Sequence, residues 1–490
     1  MANRLALLPL LSLVLLPLRA QEIKITDGVV DKQVFQRNNE ERAELKFSGS
    51  VGRQANGKYI EARITQKDAP VAGFDWTPMS KAKNGAWTGD FRGLPTGGPY
   101  KLEARVTGTS AVFAVEDLLV GDLWVLAGQS NMEGVADLVD VTPPSPLVHN
   151  FDMADHWEIA RDPLHTLVSA TDRVHWRKNE KGEPERLTGP ALADYVAKRK
   201  KGAGLGLPFA EEMLRRTGVP VGLIACAHGG TSMDQWSPDL KDKGGDSLYG
   251  SMFRRFQAIG GKVKGVLWYQ GEADANPKAA GEFLTKFQAF IAAVRKDFND
   301  PDLPFYYVQL GRHISAANAA EWNLVQVAQL KAESATPHTG MVAAIDLTLD
   351  DPIHVSTEGQ KRLGHRLANL ASHDLFPNVK ESAQMKRGPR PASVKLEDGV
   401  LRVTFSEVNG QLEADGRIGG FSVHTRTGEL VPAVYKAKFD PKAPDVVLLS
   451  IGGKLPENAV LWYGFGKNPY CNLRDTADMA APVFGPMAIQ

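Results

Sequence analysis

The chain has 490 residues, 43% of them hydrophobic, enough to bury more than one core and to suggest about two to four domains. Lys plus Arg and Asp plus Glu are equal at 57 each, so no summed field draws the protein to a polyanion such as nucleic acid or to an anionic membrane surface, and a neutral or small substrate fits better. Two cysteines, Cys226 and Cys471, cannot build a zinc cage, no His pair shows metal-ligand spacing, and no structural metal is expected.

In chain order, Arg4 precedes an apolar stretch over residues 5–18, broken by Pro9, Ser12 and Pro17, and then the small Ala20. This pattern predicts a signal peptide over 1–20, cut near Ala20-Gln21, and a secreted or periplasmic protein. The segment is too short and interrupted to span ~30 Å of hydrocarbon, so no membrane span is expected. Export would allow Cys226 and Cys471 to pair, but the apolar run 219–227 around Cys226 favours a small buried hydrophobe. Residues 21–117 alternate with period two, as in Ala43/Leu45/Phe47 against Glu44/Lys46, and predict an N-terminal β-sandwich domain.

From 118 to 378 the rhythm changes. Short apolar runs at 123–127, 219–227, 265–270, 305–310 and 341–347 alternate with amphipathic stretches at 209–216, 283–298, 322–332 and 357–371, which predicts an α/β domain whose parallel sheet is covered on both faces. The last helix opens with Thr357-x-x-Gln360, a capping-box pattern. The polar segment 137–201 contains Pro143-Pro144, Trp157 and Trp176 without a clear period, and reads either as a substrate-shaping insertion or as a surface excursion. Residues 381–391 are basic and Pro-containing, as in a linker. Alternation then returns, and a C-terminal β domain is expected over 388–490.

Four strand ends carry chemistry. Gly128-Gln129-Ser130-Asn131-Met132 follows the run 123–127, where Gly128 allows a sharp turn that would set the Ser130 hydroxyl at the carboxyl edge of a parallel sheet. If a helix begins there, its free N–H groups and dipole favour a developing oxyanion. A serine after a glycine is by itself a turn or an N-cap, and its hydroxyl needs a base. Asp350-Asp351-Pro352-Ile353-His354 supplies one: His354 as base and Asp351, or alternatively Asp350, holding the other ring nitrogen. His228-Gly229-Gly230-Thr231-Ser232 offers a glycine N–H, and Trp268-Tyr269-Gln270-Gly271-Glu272 offers an amide. With the Ser130 N–H these make three oxyanion donors, each typically worth ~3 kcal/mol of barrier. The set implies acyl transfer through a serine and needs no cofactor.

The order GQSNM, GGTS, WYQGEAD and DxxH resembles the SGNH hydrolase superfamily, in its sialate O-acetylesterase and carbohydrate acetylesterase branch. The segments Leu94-Pro95-Thr96-Gly97-Gly98-Pro99-Tyr100 and Asn468-Pro469-Tyr470-Cys471-Asn472-Leu473 look like the flanking β domains of sialate O-acetylesterases. The resemblance implies an SGNH-type three-layer α/β/α domain, O-acetylated sugar or polysaccharide as substrate, Ser130 as nucleophile with Asp351 and His354 as partners, and Ser130, Gly230 and Gln270 as oxyanion donors. It places Gln where other SGNH enzymes carry Asn, and it does not reach the 137–201 segment.

Competing readings remain at several residues. Glu272 with Asp351 could be a glycosidase carboxylate pair, but then the Ser, Gly and Gln have no task; Glu272 fits better as loop support. Trp157, Trp176 and Trp236 could stack on sugar rings or lie in the core. His228 and His313 stand near strand ends and could touch substrate, yet lone histidines are more often structural, and both are left outside the site. The rival from another class is a non-catalytic carbohydrate-binding protein, and acetyl xylan or another polysaccharide is the alternative ester.

Overall fold

The computed structural model describes residues 23–315 and 320–490; the expected signal peptide over 1–20 lies outside them. The chain divides into two compact units. The smaller comprises residues up to Val30, Glu44–Arg92 and Tyr100–Glu116; the larger comprises Asp31–Ala43, Gly93–Pro99 and Asp117–Gln490.

The smaller unit is antiparallel β-structure. Its alternating residues separate as a pleated strand requires: Leu45 and Phe47 are buried while Glu44 and Lys46 are exposed. Tyr59–Gln66 pairs with Gly97–Val106 so that Ile60, Ala62 and Ile64 oppose Val106, Ala104 and Leu102, all sealed from solvent. Phe91 lies between Phe47, on a strand of the same sheet, and Phe74, in ring contact with both.

The larger unit is built on a sheet of seven strands: β1 (Val112–Gly128), β2 (Val148–Phe151), β3 (Trp157–Ile159), β4 (Val221–Ala225), β5 (Gly265–Tyr269), β6 (Phe305–Gln309) and β7 (Thr339–Ala343). Their order is β3-β2-β4-β1-β5-β6-β7, parallel throughout except for the antiparallel edge strand β3. Strands β4 to β7 are buried at every residue, which requires cover on both faces. Helix α1 (Ser130–Glu133) follows β1 directly. On one face, Phe209 of α2 (Gly206–Thr217) meets Trp124 edge-on, and α6 (Thr357–Leu375) joins the same face through Asp374, which accepts from Tyr306. Between them in sequence come α3 (Leu248–Ala258), α4 (Phe283–Asp297) and α5 (Ala320–Ala335). Phe287 and Phe290 of α4 pack on Trp268 and Tyr307, whose hydroxyl donates to Gln329 O on α5, so these helices cover the opposite face. Each fully buried Leu or Phe here contributes roughly 2–3 kcal/mol over exposure.

The C-terminal region is all β. Arg390–Glu397, Val400–Ser406, Ala443–Ile451 and Val434–Asp440 form one antiparallel sheet, and Leu430–Val431, Phe421–Thr425, Ala459–Tyr463 and Phe484–Ala488 a second, with Phe405 and Phe484 in contact between them. It is joined to the α/β region by buried polar contacts. Arg366 of α6, sealed from solvent, binds Asp346 and Asp478; Gln309 exchanges two hydrogen bonds with the Val483 backbone.

Four local expectations differ. The stretch 381–391 is no free tether: it begins within a short helix (Lys380–Gln384), and its Arg387 and Arg390 pair with Asp374 and Glu333. The 137–201 segment supplies β2 and β3 of the sheet, hidden in the sequence because β2 buries His149 and Asn150, whose side chains bond the carbonyls of Lys32, Pro146 and Leu164. The last strand ends at Ala343, not at residue 347. The N-cap of α6 is Ser356, which accepts from Gly359 N–H at 3.2 Å, while the Thr357 hydroxyl donates to Asp137 O and Gln360 Nε2 to Asn131 O, so the cap lies one residue earlier and, with Gly359 at the third position, no capping box forms. Cys226 and Cys471 are both free and buried.

Candidate active site

The site is assembled at the carboxyl ends of β1, β4 and β5 with the loop before α6. At the end of β1, Gly128 adopts φ 136°, and a Cβ there would fall 2.3 Å from Tyr269 O of the neighbouring strand; only glycine permits this approach. The chain then turns through extended Gln129 into α1, which starts at Ser130 itself. With four residues, α1 is too short for the dipole contribution anticipated from the sequence.

His354 Nε2 stands 2.9 Å from Ser130 Oγ, and His354 Nδ1 stands 2.7 Å from Asp351 Oδ2. The other Asp351 oxygen accepts the backbone N–H groups of Ile353 and His354, at 3.1 and 3.0 Å, closing a tight turn around the carboxylate. Lys201 Nζ lies 3.0 Å from Asp351 Oδ2. Burial alone would raise the Asp351 carboxyl, but the hydrogen bonds from His354, Ile353 and Lys201 outweigh it and hold the group well below the ordinary carboxylate range. Asp350 is occupied elsewhere, accepting from Asp137 N–H at 2.8 Å and Thr357 N–H at 3.3 Å, so of the two candidates Asp351 is the one beside the imidazole.

The donors divide in the same way. Gly229 N–H is bound to Glu133 Oε2 at 2.8 Å, whereas Gly230, at φ 69°, has an N–H without a partner among the described residues, as does the Ser130 N–H. Gln270 differs from expectation: its amide nitrogen donates to Thr231 O at 3.0 Å and to Asp274 Oδ2 at 2.5 Å, which leaves no hydrogen for an oxyanion. It ties the Thr231 turn to the β5 end instead. Gln129 offers a free amide: its oxygen accepts Ala273 N–H at 3.3 Å, and its NH2 has no partner among the described residues.

Asn131 connects the two sides. Its oxygen accepts Val355 N–H at 3.0 Å, and its nitrogen donates to Glu272 Oε1 at 2.8 Å. The second Glu272 oxygen is buried without a partner, and burial pushes the carboxyl up to about 7. Burial likewise pushes Glu133 up to about 7, against the opposing Gly229 hydrogen bond and the Arg199 charge. Glu272 is thus bonded to Asn131, the neighbour of Ser130, and Asp351 to His354, an arrangement unlike a glycosidase pair.

Of the tryptophans, Trp236 is sealed from solvent against Trp268, and Trp157 packs on Phe151, so both are core residues. Trp176 is partly buried and donates to Ala170 O. His313 lies against Trp322. Sequence reasoning passed over Asn131 and Gln129, although both stand in GQSNM; Glu133 and Lys201 carried no signal. Among the described residues no group of three or more His, Cys, Asp or Glu could hold a metal ion, and no helix is long and apolar enough to cross a membrane.

Parallel strands ending in a serine, a histidine and oriented glycine N–H groups define a hydrolase-type site. Residues 120–373 match the family described as carbohydrate esterase, sialic acid-specific acetylesterase, and the chain belongs to that family. It is a carboxylic ester hydrolase of the carbohydrate acetylesterase class. A probable carbohydrate esterase of Arabidopsis thaliana is 28% identical over 269 residues, covering 50% of this chain and 88% of that relative. The sialate O-acetylesterase of Homo sapiens is 24% identical over 381 residues, covering 69% of each chain. The crystal structure of a carbohydrate acetylesterase from Xanthomonas citri superposes with a TM-score of 0.63 at 24% identity, over 94% of this chain and 99% of that one, a likeness of fold.

Proposed function

We propose that the protein removes O-acetyl groups from a carbohydrate through an acetyl-enzyme on Ser130. The observation that carries this reading is the series of two contacts, Ser130 Oγ to His354 Nε2 at 2.9 Å and His354 Nδ1 to Asp351 Oδ2 at 2.7 Å. Ser130 Oγ attacks the acetyl carbonyl carbon while His354 Nε2 takes its proton; Asp351 holds the ring tautomer and stabilises the imidazolium. Charge on the carbonyl oxygen is met by the Ser130 and Gly230 N–H groups. His354 returns the proton to the departing sugar oxygen as the C–O bond breaks. Water then adds to the acetyl-enzyme with its proton going to His354, and acetate leaves as Ser130 recovers that proton. Glu272 acts as loop support through Asn131.

The substrate we assign first is an O-acetylated sialic acid, supported by the family description and by the likeness to the human sialate O-acetylesterase. The surroundings we assign are an SGNH-type three-layer domain over 118–378, β domains over 21–117 and 388–490, and secretion directed by residues 1–20. Ser130→Ala is expected to abolish acetate release from 4-nitrophenyl acetate and from acetylated sugars while leaving the circular dichroism unchanged; retained turnover refutes the assignment. A fluorophosphonate is expected to label wild-type and not Ser130→Ala, whereas a mere carbohydrate-binding protein leaves both unlabelled. Acetate release across O-acetylated sialic acid, acetyl xylan and other acetylated polysaccharides identifies the ester, and preference for xylan removes the sialate assignment alone.

A further inference from the structure

A file of polar side chains runs from the interior to the edge of this site and has no task in the acyl-transfer steps. Arg254 clasps both oxygens of buried Asp172, with Nε donating to Oδ1 at 2.8 Å and Nη2 to Oδ2 at 2.9 Å, so both carboxyl oxygens act as acceptors. Ser251 Oγ lies 2.6 Å from Asp172 Oδ2, so its one hydrogen is spent on that carboxylate. His175 Nε2 lies 3.1 Å from the same Oγ and must therefore be the donor, as Nε2–H. His175 is buried, and burial, aided by neighbouring His228 and Arg255, lowers its basicity well below the ordinary imidazole value, so the ring is neutral and its Nδ1 is bare. The partner of that Nδ1 is His228 Nδ1 at 3.1 Å, which must be protonated to donate. Burial also lowers His228, leaving its Nε2 as a bare acceptor.

That nitrogen is neither sealed from solvent nor bonded to any described residue. His228 adjoins Ser130: its N–H donates to Gly128 O at 3.0 Å, and a Cβ on the next residue, Gly229, would lie 3.4 Å from Ser130 Cβ. We propose that His228 is a specificity-determining residue whose Nε2 accepts a hydrogen bond from a free hydroxyl of the sugar that bears the acetyl group, in a tautomer fixed by the Asp172–Ser251–His175 file. The site thereby favours partly acetylated sugars with a neighbouring free hydroxyl over fully substituted ones. This inference rests on Ser130 being the nucleophile.

The test compares kcat/KM for a mono-O-acetylated methyl glycoside and for the same glycoside with its remaining hydroxyls methylated. Wild-type is expected to prefer the free-hydroxyl ester by about tenfold, the typical worth of one neutral hydrogen bond. His228→Asn, whose amide sits where Nδ1 does and can still bond His175, removes the acceptor and is expected to abolish the preference. His228→Gln returns a polar atom near the Nε2 position and is expected to restore part of it. Ser251→Ala, which frees the His175 tautomer, is expected to shrink the preference and gives a second route should the His228 variants fail to fold. A wild-type enzyme without the preference, or a preference that survives in His228→Asn, overturns the proposal. Turnover of 4-nitrophenyl acetate by Ser130→Ala is the separate outcome that removes the nucleophile reading, and this inference with it.

Discussion

Glu272 places a titratable carboxyl where water does not reach one of its oxygens, and replacing it by glutamine has a pH signature that can be worked out. The folded-state value is pushed from 4.5 up to about 7, chiefly by burial. Below 4.5 the group is protonated whether the chain is folded or not, and it costs nothing. Between 4.5 and about 7 the folded chain holds the extra proton, so stability falls as pH rises; above that interval the whole cost of the buried charge is present. At ~1.4 kcal/mol per pH unit, the interval amounts to about 3 kcal/mol. Glu272→Gln keeps a carbonyl oxygen for Asn131 Nδ2 and removes the titration. Whatever fixed cost the new amide brings cancels when the wild-type–variant difference is compared between two pH values. Urea unfolding of both proteins, followed by tryptophan fluorescence at about pH 4 and about pH 8.5, is expected to show the variant gaining about 3 kcal/mol on wild-type at the higher pH. A difference that stays constant refutes the account of Glu272 as a desolvated carboxyl.

Asn131→Ala leaves Val355 N–H and Glu272 Oε1 without their partner. Each unpaired buried group costs about 1–3 kcal/mol, so calorimetry is expected to show a clearly lowered Tm, and kcat/KM for 4-nitrophenyl acetate a fall of about tenfold or more; unchanged values mean that the bridge positions nothing. Lys201→Met removes the cation beside Asp351. Lys201 is partly exposed and screened by solvent, so the loss in kcat/KM at neutral pH is expected to be about fivefold or less. Asp351 is held low partly by Lys201, and without that contact its carboxyl protonates at higher pH as the solution is acidified. A loss well beyond about tenfold at neutral pH refutes the reading of this pair as a screened, supporting contact.

The α/β rhythm of this chain was legible because strands covered on both faces must be apolar, as in the runs around Val125, Leu223 and Val308, and the acetylesterase resemblance was legible because GQSNM and WYQGE are short and contiguous. Both are local properties. The strand Val148–Phe151 was not legible, because its His149 and Asn150 are satisfied by carbonyls that only the folded chain brings near. The choice between neighbours was not legible either. Asp350 and Asp351 are the same residue type one position apart, and it is Asp137 and Thr357 that occupy the first. Gly229 and Gly230 are distinguished by Glu133, and Gln270 is claimed by Thr231 and Asp274. Lys201 reaches Asp351 across 150 residues of chain. Sequence by itself therefore determined which chemical groups stand at the strand ends, since glycine turns and apolar strands are dictated over a few residues. Which of those groups are free to act was decided by the tertiary structure, because a hydrogen-bond donor or acceptor is available only if no distant partner has already claimed it.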